Sequence, residues 1–140
     1  MKNQRSFLKC DSCGNIIGVI DVFKWGRYCS YDEQFCHQFN MFCCGQAMKL
    51  VAPNTEDASQ EKHVPVAKRE GDKLIVTVGS DAHPMEEAHH ISWIAIAQGP
   101  LTQRFNLEKT GQPSATFLVS GDDVTIYAYC NLHGLWAADV

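Results

Sequence analysis

The stretch Val124-Thr125-Ile126-Tyr127-Ala128-Tyr129-Cys130-Asn131-Leu132-His133-Gly134-Leu135-Trp136 governs how the rest of the chain is read. Val124, Ile126 and Ala128 recur at a period of two, which predicts a β-strand. The strand delivers Cys130 and His133, a thiolate donor and an imidazole donor three positions apart, to a bend closed by Gly134. Two donors do not complete a metal site. The others available are His63, His83, His89 and His90, all separated from Cys130 by strand-like segments, so the fold has to bring distant strand ends and loops to one point.

Upstream, the same period continues. Val64 and Val66, then Leu74, Val76 and Val78, then Ile91, Trp93 and Ala95 with Ile94 and Ile96 on the opposite face, then Phe105 and Leu107, then Phe117 and Val119 predict further short strands. With Val124 to Tyr129 they make six or seven, separated by turn signals at Glu70-Gly71-Asp72, Gly79-Ser80, Gly99-Pro100, Thr110-Gly111-Gln112-Pro113 and Ser120-Gly121-Asp122-Asp123. Seven strands in about 85 residues without intervening helices imply a mostly β protein, with an immunoglobulin-like antiparallel sandwich at 52–140. Ala52-Pro53-Asn54-Thr55-Glu56-Asp57 is a polar, Pro-bearing boundary before it. Ala58 to Lys62 reads as one helical turn, capped by Thr55 or Asp57, and His63 as the opening of the first strand.

The chain has 140 residues, 45% hydrophobic and 20% charged, the proportions of a soluble globular protein. A net charge of −4 and scattered Lys and Arg residues exclude a nucleic-acid partner. No apolar run precedes Cys10, so the N-terminus does not read as a signal peptide, and no segment has the ~18 apolar residues of a membrane span. The expectation is the cytoplasm. There, seven cysteines point to metal ligation or redox chemistry rather than to a disulfide framework.

The first of these chemistries is written into residues 1–51. Cys10-Asp11-Ser12-Cys13-Gly14-Asn15 is a C-x-x-C knuckle, and Cys43-Cys44-Gly45 is its complement, again followed by glycine. Four thiolates suit tetrahedral iron or zinc, and the spacing does not choose between them. Between the pairs, residues 22–40 look like an insertion. Cys29 and Cys36 read there as spare thiols, against a regulatory disulfide or an exchange into the metal site, and His37 as a surface residue; Phe23, Trp25, Tyr28 and Tyr31 offer cover for a small site.

His63, His83, His89 and His133 all fall at strand ends or in loops, as side chains converging on one rim of a sandwich would. A lone histidine is more often structural; four in such positions, with a C-x-x-H closing the chain, read as ligands. Neighbouring strand residues face opposite ways, so His90 is set apart from His89 as a surface residue. Four imidazoles and one thiolate exceed what a structural zinc takes. They suit a redox iron with four nitrogens in a plane, sulfur along the axis and the position opposite open, the thiolate pushing electron density through the metal as in thiolate-ligated haem.

Three blocks, Glu61-Lys62-His63-Val64-Pro65, Ala82-His83-Pro84-Met85-Glu86-Glu87 and Tyr129-Cys130-Asn131-Leu132-His133-Gly134, resemble the signature blocks of the superoxide reductases. Cys10 to Asn15 with Cys43-Cys44-Gly45-Gln46-Ala47-Met48 resembles the desulforedoxin-like domain of desulfoferrodoxin, the two-iron type. The resemblance implies an enzyme that reduces superoxide by one electron to hydrogen peroxide at a mononuclear iron. His63, His83, His89 and His133 would be its equatorial ligands and Cys130 its axial one. Cys10, Cys13, Cys43 and Cys44 would hold a second, rubredoxin-like iron, or zinc in its place. It also implies rubredoxin or a similar electron donor, and a homodimer.

Superoxide is an anion, so Lys62, next to His63, reads as the local positive charge that draws it in, against an ordinary exposed lysine. By the same resemblance Glu61 would take the open position on oxidised iron, against a solvated charge paired with Lys62. Glu86 and Glu87 are expected to be solvated, the amides of Leu132 and His133 to donate to the Cys130 sulfur, and Pro84 to fix the turn after His83. The chain departs from the family in its long segment between Cys13 and Cys43, and in Ala88 and His90, where a Lys and an aromatic residue are more usual. The competing readings are a non-catalytic rubredoxin-like electron carrier or metal-binding module, and a zinc-ribbon interaction module fused to a sandwich.

Overall fold

A computed structural model describes residues 3–19 and 42–140. Cys29, Cys36, His37, Phe23, Trp25, Tyr28 and Tyr31 of the expected insertion lie outside the described residues. Those described form two compact units, Gln4–Ala52 and Pro53–Val140 with Asn3. No helix among them is long and apolar enough to cross a membrane.

In the smaller unit Ser6–Lys9 (β1) pairs antiparallel with both Ile16–Val19 (β2) and Lys49–Val51 (β5). Phe42–Cys43 (β3) and Gln46–Ala47 (β4) make a separate two-stranded hairpin. The buried cluster is Leu8, Cys10 and Met48, with Ile17 and Cys43 packed against it. Burial stabilises by about 1.5–3 kcal/mol for each large apolar side chain, against about 1–2 kcal/mol of backbone entropy for every residue ordered. A cluster this small needs a staple, and it contains one cysteine, Cys10, with a second, Cys43, packed against it.

The larger unit holds the sandwich. Pro65–Glu70 (β6), Lys73–Val78 (β7) and Ser114–Leu118 (β10) form a three-stranded sheet in the order β10-β7-β6. Ile91–Gln98 (β8), Leu101–Asn106 (β9), Thr125–Cys130 (β11) and Gly134–Asp139 (β12) form a four-stranded sheet in the order β12-β11-β8-β9. All neighbours are antiparallel. Leu135-Trp136-Ala137-Ala138, the apolar run after Gly134, supplies β12, a strand beyond those the alternation marked out.

The core lies between the sheets: Leu74, Val76 and Val78 from β7, Ala115 and Phe117 from β10, Ile94 and Ile96 from β8, Ile126, Ala128 and Cys130 from β11. Ile91 belongs to it too, although strict alternation puts it with Trp93 and Ala95. Cys130 pairs with Ile91 while Tyr129 pairs with Trp93, so the register slips at Ser92. One extra residue in a strand reverses the parity beyond it. The bulge therefore turns Ile91 into the core at the end of the strand where Cys130 emerges.

The segment before β6 corrects two expectations. Gln60–His63 is a helical turn (α1) capped by position at Ser59, with no side-chain cap bond, rather than at Thr55 or Asp57. His63 ends this turn instead of opening the strand, because Pro65 holds Val64 in extended conformation, φ −69° and ψ 121°. The approach to α1 is pinned by Asn54, which bonds β12 through its backbone N–H to Leu135 O (2.9 Å) and its amide to Ala137 O (3.1 Å) and N (2.9 Å).

Gly79, after β7, sits under α1. Its φ is +83°, and a Cβ there would come within 2.3 Å of Asp81 O, 2.7 Å of Lys62 O and 2.8 Å of Glu61 O. Gly71, in the β6–β7 turn with φ +62°, has nothing near its absent side chain. Gly71→Ala is expected to cost about 1 kcal/mol, the left-handed backbone alone. Gly79→Ala is expected to cost about 3 kcal/mol or more, because backbone carbonyls must also move. Equal denaturation midpoints for the two variants would remove the close approach of α1 as a constraint.

Candidate metal centres

Strand ends and loops carry five donors to one rim of the sandwich. His63 comes from the end of α1, His83 and His89 from the loop between β7 and β8, Cys130 from the end of β11 and His133 from the turn into β12. His63 and His83 are 3% exposed and Cys130 is fully buried. The ligand atoms of His63, His89, Cys130 and His133 lie within 4.8 Å of one another. His83 joins with its Nε2 3.2 Å from that of His63.

The four imidazoles form a square. Ring centroids are 4.7 Å apart for His63–His83, 4.6 Å for His83–His89, 5.0 Å for His89–His133 and 4.8 Å for His133–His63. The separation of His63 and His89, 6.3 Å, is a diagonal. Neighbouring rings stand edge to face, at 75° to 87°. Cys130 lies on the buried side, its Sγ 3.8 Å from His133 Nδ1.

Protons decide what this square wants. His63 Nδ1 is 2.6 Å from Ser59 O and His83 Nδ1 is 2.6 Å from Pro84 O. A carbonyl only accepts, so each Nδ1 carries the hydrogen and each Nε2 is left with a lone pair. Burial lowers the pKa of His83 to about 4 and that of His63 below its ordinary value, keeping both neutral. Two lone pairs 3.2 Å apart, with His133 Nδ1 3.1 Å from His63 Nε2, repel unless a cation sits between them. Metal–imidazole bonds of about 2.1 Å at right angles place neighbouring nitrogens about 3 Å apart, which is what is found. His89 Nε2 adds an orphan: it is buried and has no hydrogen-bond partner. The residues fit a metal held by four nitrogens and one sulfur.

The surroundings serve the same five groups. Burial raises the Cys130 pKa, opposed by hydrogen bonds from the His133 and Leu132 amides, the former 3.4 Å from the sulfur. Trp136, not singled out by the sequence, stacks on His63 (centroids 4.9 Å, 28°) and donates its indole N–H to His133 O at 2.9 Å. Pro84 does more than shape a turn, since its carbonyl sets the His83 tautomer. Lys62 and Glu61 are exposed on α1; the Lys62 charge is felt at both His63 and His89, and Glu61 accepts from Ser59 Oγ at 3.0 Å. Glu87 is exposed but pairs with Lys109 at 2.7 Å.

His90 stands apart from the square, but not by strand alternation, since His89 and His90 both lie in the loop before β8 rather than entering the strand, and it is not a surface residue. It is 7% exposed, its Nδ1 bonded to Glu86 O at 2.9 Å. Periodicity tells which way a side chain turns, not what the loop before it folds over.

The second centre lies in the smaller unit. Cys10, Cys13, Cys43 and Cys44 bring their sulfurs within 4.8 Å of one another, with Cys13 and Cys43 3.5 Å apart. Gly14 (φ +75°) and Gly45 (φ +73°) turn the two knuckles alike. The backbone N–H of Cys13, helped by that of Ser12, lowers the Cys10 pKa to about 7. The Cys13 and Cys10 sulfurs push Cys43 up to about 12, so four thiolates coexist here only around a cation. A set of four thiolates is saturated, with no open position.

The family profile described as desulfoferrodoxin matches residues 55–139. A desulfoferrodoxin homolog of Archaeoglobus fulgidus is 45% identical over 128 residues, 91% of each chain. The desulfoferrodoxin of Nitratidesulfovibrio vulgaris is 38% identical over 139 residues, 99% of each. Among solved structures, the superoxide reductase from Treponema pallidum superposes with a TM-score of 0.71 at 28% identity, covering 96% of this chain and 98% of that one. A sandwich whose rim holds four imidazoles and a thiol, joined to a four-cysteine unit and matched over nearly its whole length, belongs to the desulfoferrodoxin family.

Proposed function

We propose that the chain is a superoxide reductase, converting superoxide to hydrogen peroxide at an iron held by His63, His83, His89, His133 and Cys130. The observation that carries the reading is the square of four imidazoles beside a buried thiol, with His89 Nε2 unpartnered. Four nitrogens and a sulfur are five donors, which would leave room for a small ligand on a six-coordinate metal, where a saturated structural site would not. Cycling between ferrous and ferric states, the iron supplies the one electron that, with two protons, turns superoxide into hydrogen peroxide.

The protein's own groups do the rest. Of the five groups that would hold the iron, only the Cys130 thiolate would bring a negative charge, and the Leu132 and His133 amides spread that charge over hydrogen bonds. Superoxide is an anion approaching a chain of net charge −4, so local positive charge has to draw it in. Lys62, next to His63 and felt at two of the imidazoles, supplies it and orders water for proton delivery. Glu61, beside it on the exposed turn, would offer a carboxylate to the oxidised iron, a hard donor suited to the ferric state.

Residues 52–140 are thus read as the catalytic domain, and residues 1–51 as a desulforedoxin-like domain whose four-cysteine iron stores or passes electrons, having no room for substrate. A rubredoxin-type carrier as donor, a homodimer and a cytoplasmic setting complete the reading. Thiols kept as clustered metal donors suit a reducing compartment.

Metal analysis of the purified chain should find two irons, and zinc alone would instead favour a binding module. Cys130→Ser is expected to abolish superoxide reduction while the red absorption of the four-cysteine centre persists; undiminished turnover would take Cys130 out of the chemistry. Lys62→Ala should slow the reaction and flatten its dependence on ionic strength, and an unaltered salt response would refute steering. After metal removal, acid should destabilise the sandwich. His83 titrates at about 4 when folded and 6.5 when unfolded, so the unfolded chain binds more protons between these values and stability falls as pH drops through them. A denaturation midpoint flat across that window would contradict the buried, neutral histidines.

A further inference from the structure

We propose that Asn131 is a positioning residue that aims the His89 imidazole into the metal site by clasping the backbone on both sides of it. The inference rests on the reading of this site as an iron centre. The Asn131 Oδ1 accepts the His90 N–H at 2.9 Å, and its Nδ2 donates to Ala88 O at 3.0 Å. The Asn131 backbone N–H adds a bond to His90 O at 3.2 Å. Three hydrogen bonds thereby tie the residues flanking His89 to the residue that follows Cys130.

His89 is the ligand that needs such help. His63 and His83 each have a ring nitrogen pinned to a carbonyl at 2.6 Å. His133 sits in the turn whose own N–H reaches the Cys130 sulfur and whose carbonyl takes the Trp136 indole. The buried His89 Nε2 has no hydrogen-bond partner to pin it, so beyond its edge contacts with the His83 and His133 rings the aim of His89 rests on its backbone.

That backbone lies outside β8, which begins at Ile91. Its other bonds are local. Glu86 N–H donates to His89 O at 2.9 Å, His89 N–H to Glu86 O at 3.1 Å, and the His90 ring meets Glu86 O at 2.9 Å. These close the loop on itself; the Asn131 side chain joins it to the end of β11, where Cys130 is. The Asn amide carries a donor and an acceptor on one carbon, which lets this one short side chain bond Ala88 O and His90 N–H at once.

The test uses the full-length, iron-loaded chain with Asn131→Ala and with the near-isosteric Asn131→Asp, which keeps the acceptor and loses the donor. Two quantities are read: the rate at which the histidine–cysteine centre gives up iron to a chelator, and the electron paramagnetic resonance spectrum of its ferric form. The absorption of the four-cysteine centre serves as internal control. Asn131→Ala should release iron about tenfold faster with an altered ferric spectrum, Asn131→Asp less so, and the four-cysteine band should not move. In a His89→Ala background Asn131→Ala should add nothing further. Wild-type release and spectrum in both variants would overturn the clasp, as would an undiminished effect of Asn131→Ala in the His89→Ala chain. Should Asn131→Ala fail to fold, Asn131→Asp alone decides, faster release supporting the clasp and wild-type release overturning it. A wild-type chain that holds no iron at these residues would instead sink the reading of the site, and the clasp with it.

Discussion

Lone pairs forced to face one another are the constraint on which the larger unit turns. Ser59 O and Pro84 O take the protons of two imidazoles, burial keeps those rings neutral, and their free nitrogens are held 3.2 Å apart. Without a cation such an arrangement is repulsive; with one, each pinned ring becomes a preset ligand. The cost of bringing the donors together is met by the folding of the sandwich, so metal binding needs little further ordering.

Several features of the fold make sense only in that light. The register slip at Ser92 turns Ile91 into the core beside Cys130, seating the thiol at the closed, buried side of the square. Gly79 lets α1 lie directly on the end of β7, which brings His63 across to His83. Trp136 backs His63 and fixes the carbonyl of His133. Each device sits where two elements meet.

The two metal sites show how donor count separates roles. Four thiols on two glycine-turned knuckles suit a tetrahedral ion, and in a unit with so small a buried cluster an ion held there would double as the staple of the fold. Four imidazoles and one thiol overfill a tetrahedron and underfill an octahedron. The first arrangement suits holding charge and the second suits receiving a small ligand, with Lys62 exposed next to His63 on the same turn.

Much of this was legible along the chain. Alternation marked the strands, glycines marked the turns, and the C-x-x-C, Cys-Cys and C-x-x-H spacings pointed to the thiols and to His133, because these signals are local: a period of two, a left-handed turn, a thiolate three residues from an imidazole. His63, His83 and His89 were read only from their places at strand ends and in loops and from the family resemblance. Tertiary structure alone decided the rest. The burial of His90, the bulge at Ser92, the place of His63 on a helical turn, the tautomers set by Ser59 and Pro84, and the clasp of Asn131 across to Ala88 and His90 all depend on how the backbone folds around each group. A carbonyl or an amide carries no sequence signature of the group it will meet, so the donors could be read from residue types but their aim could not.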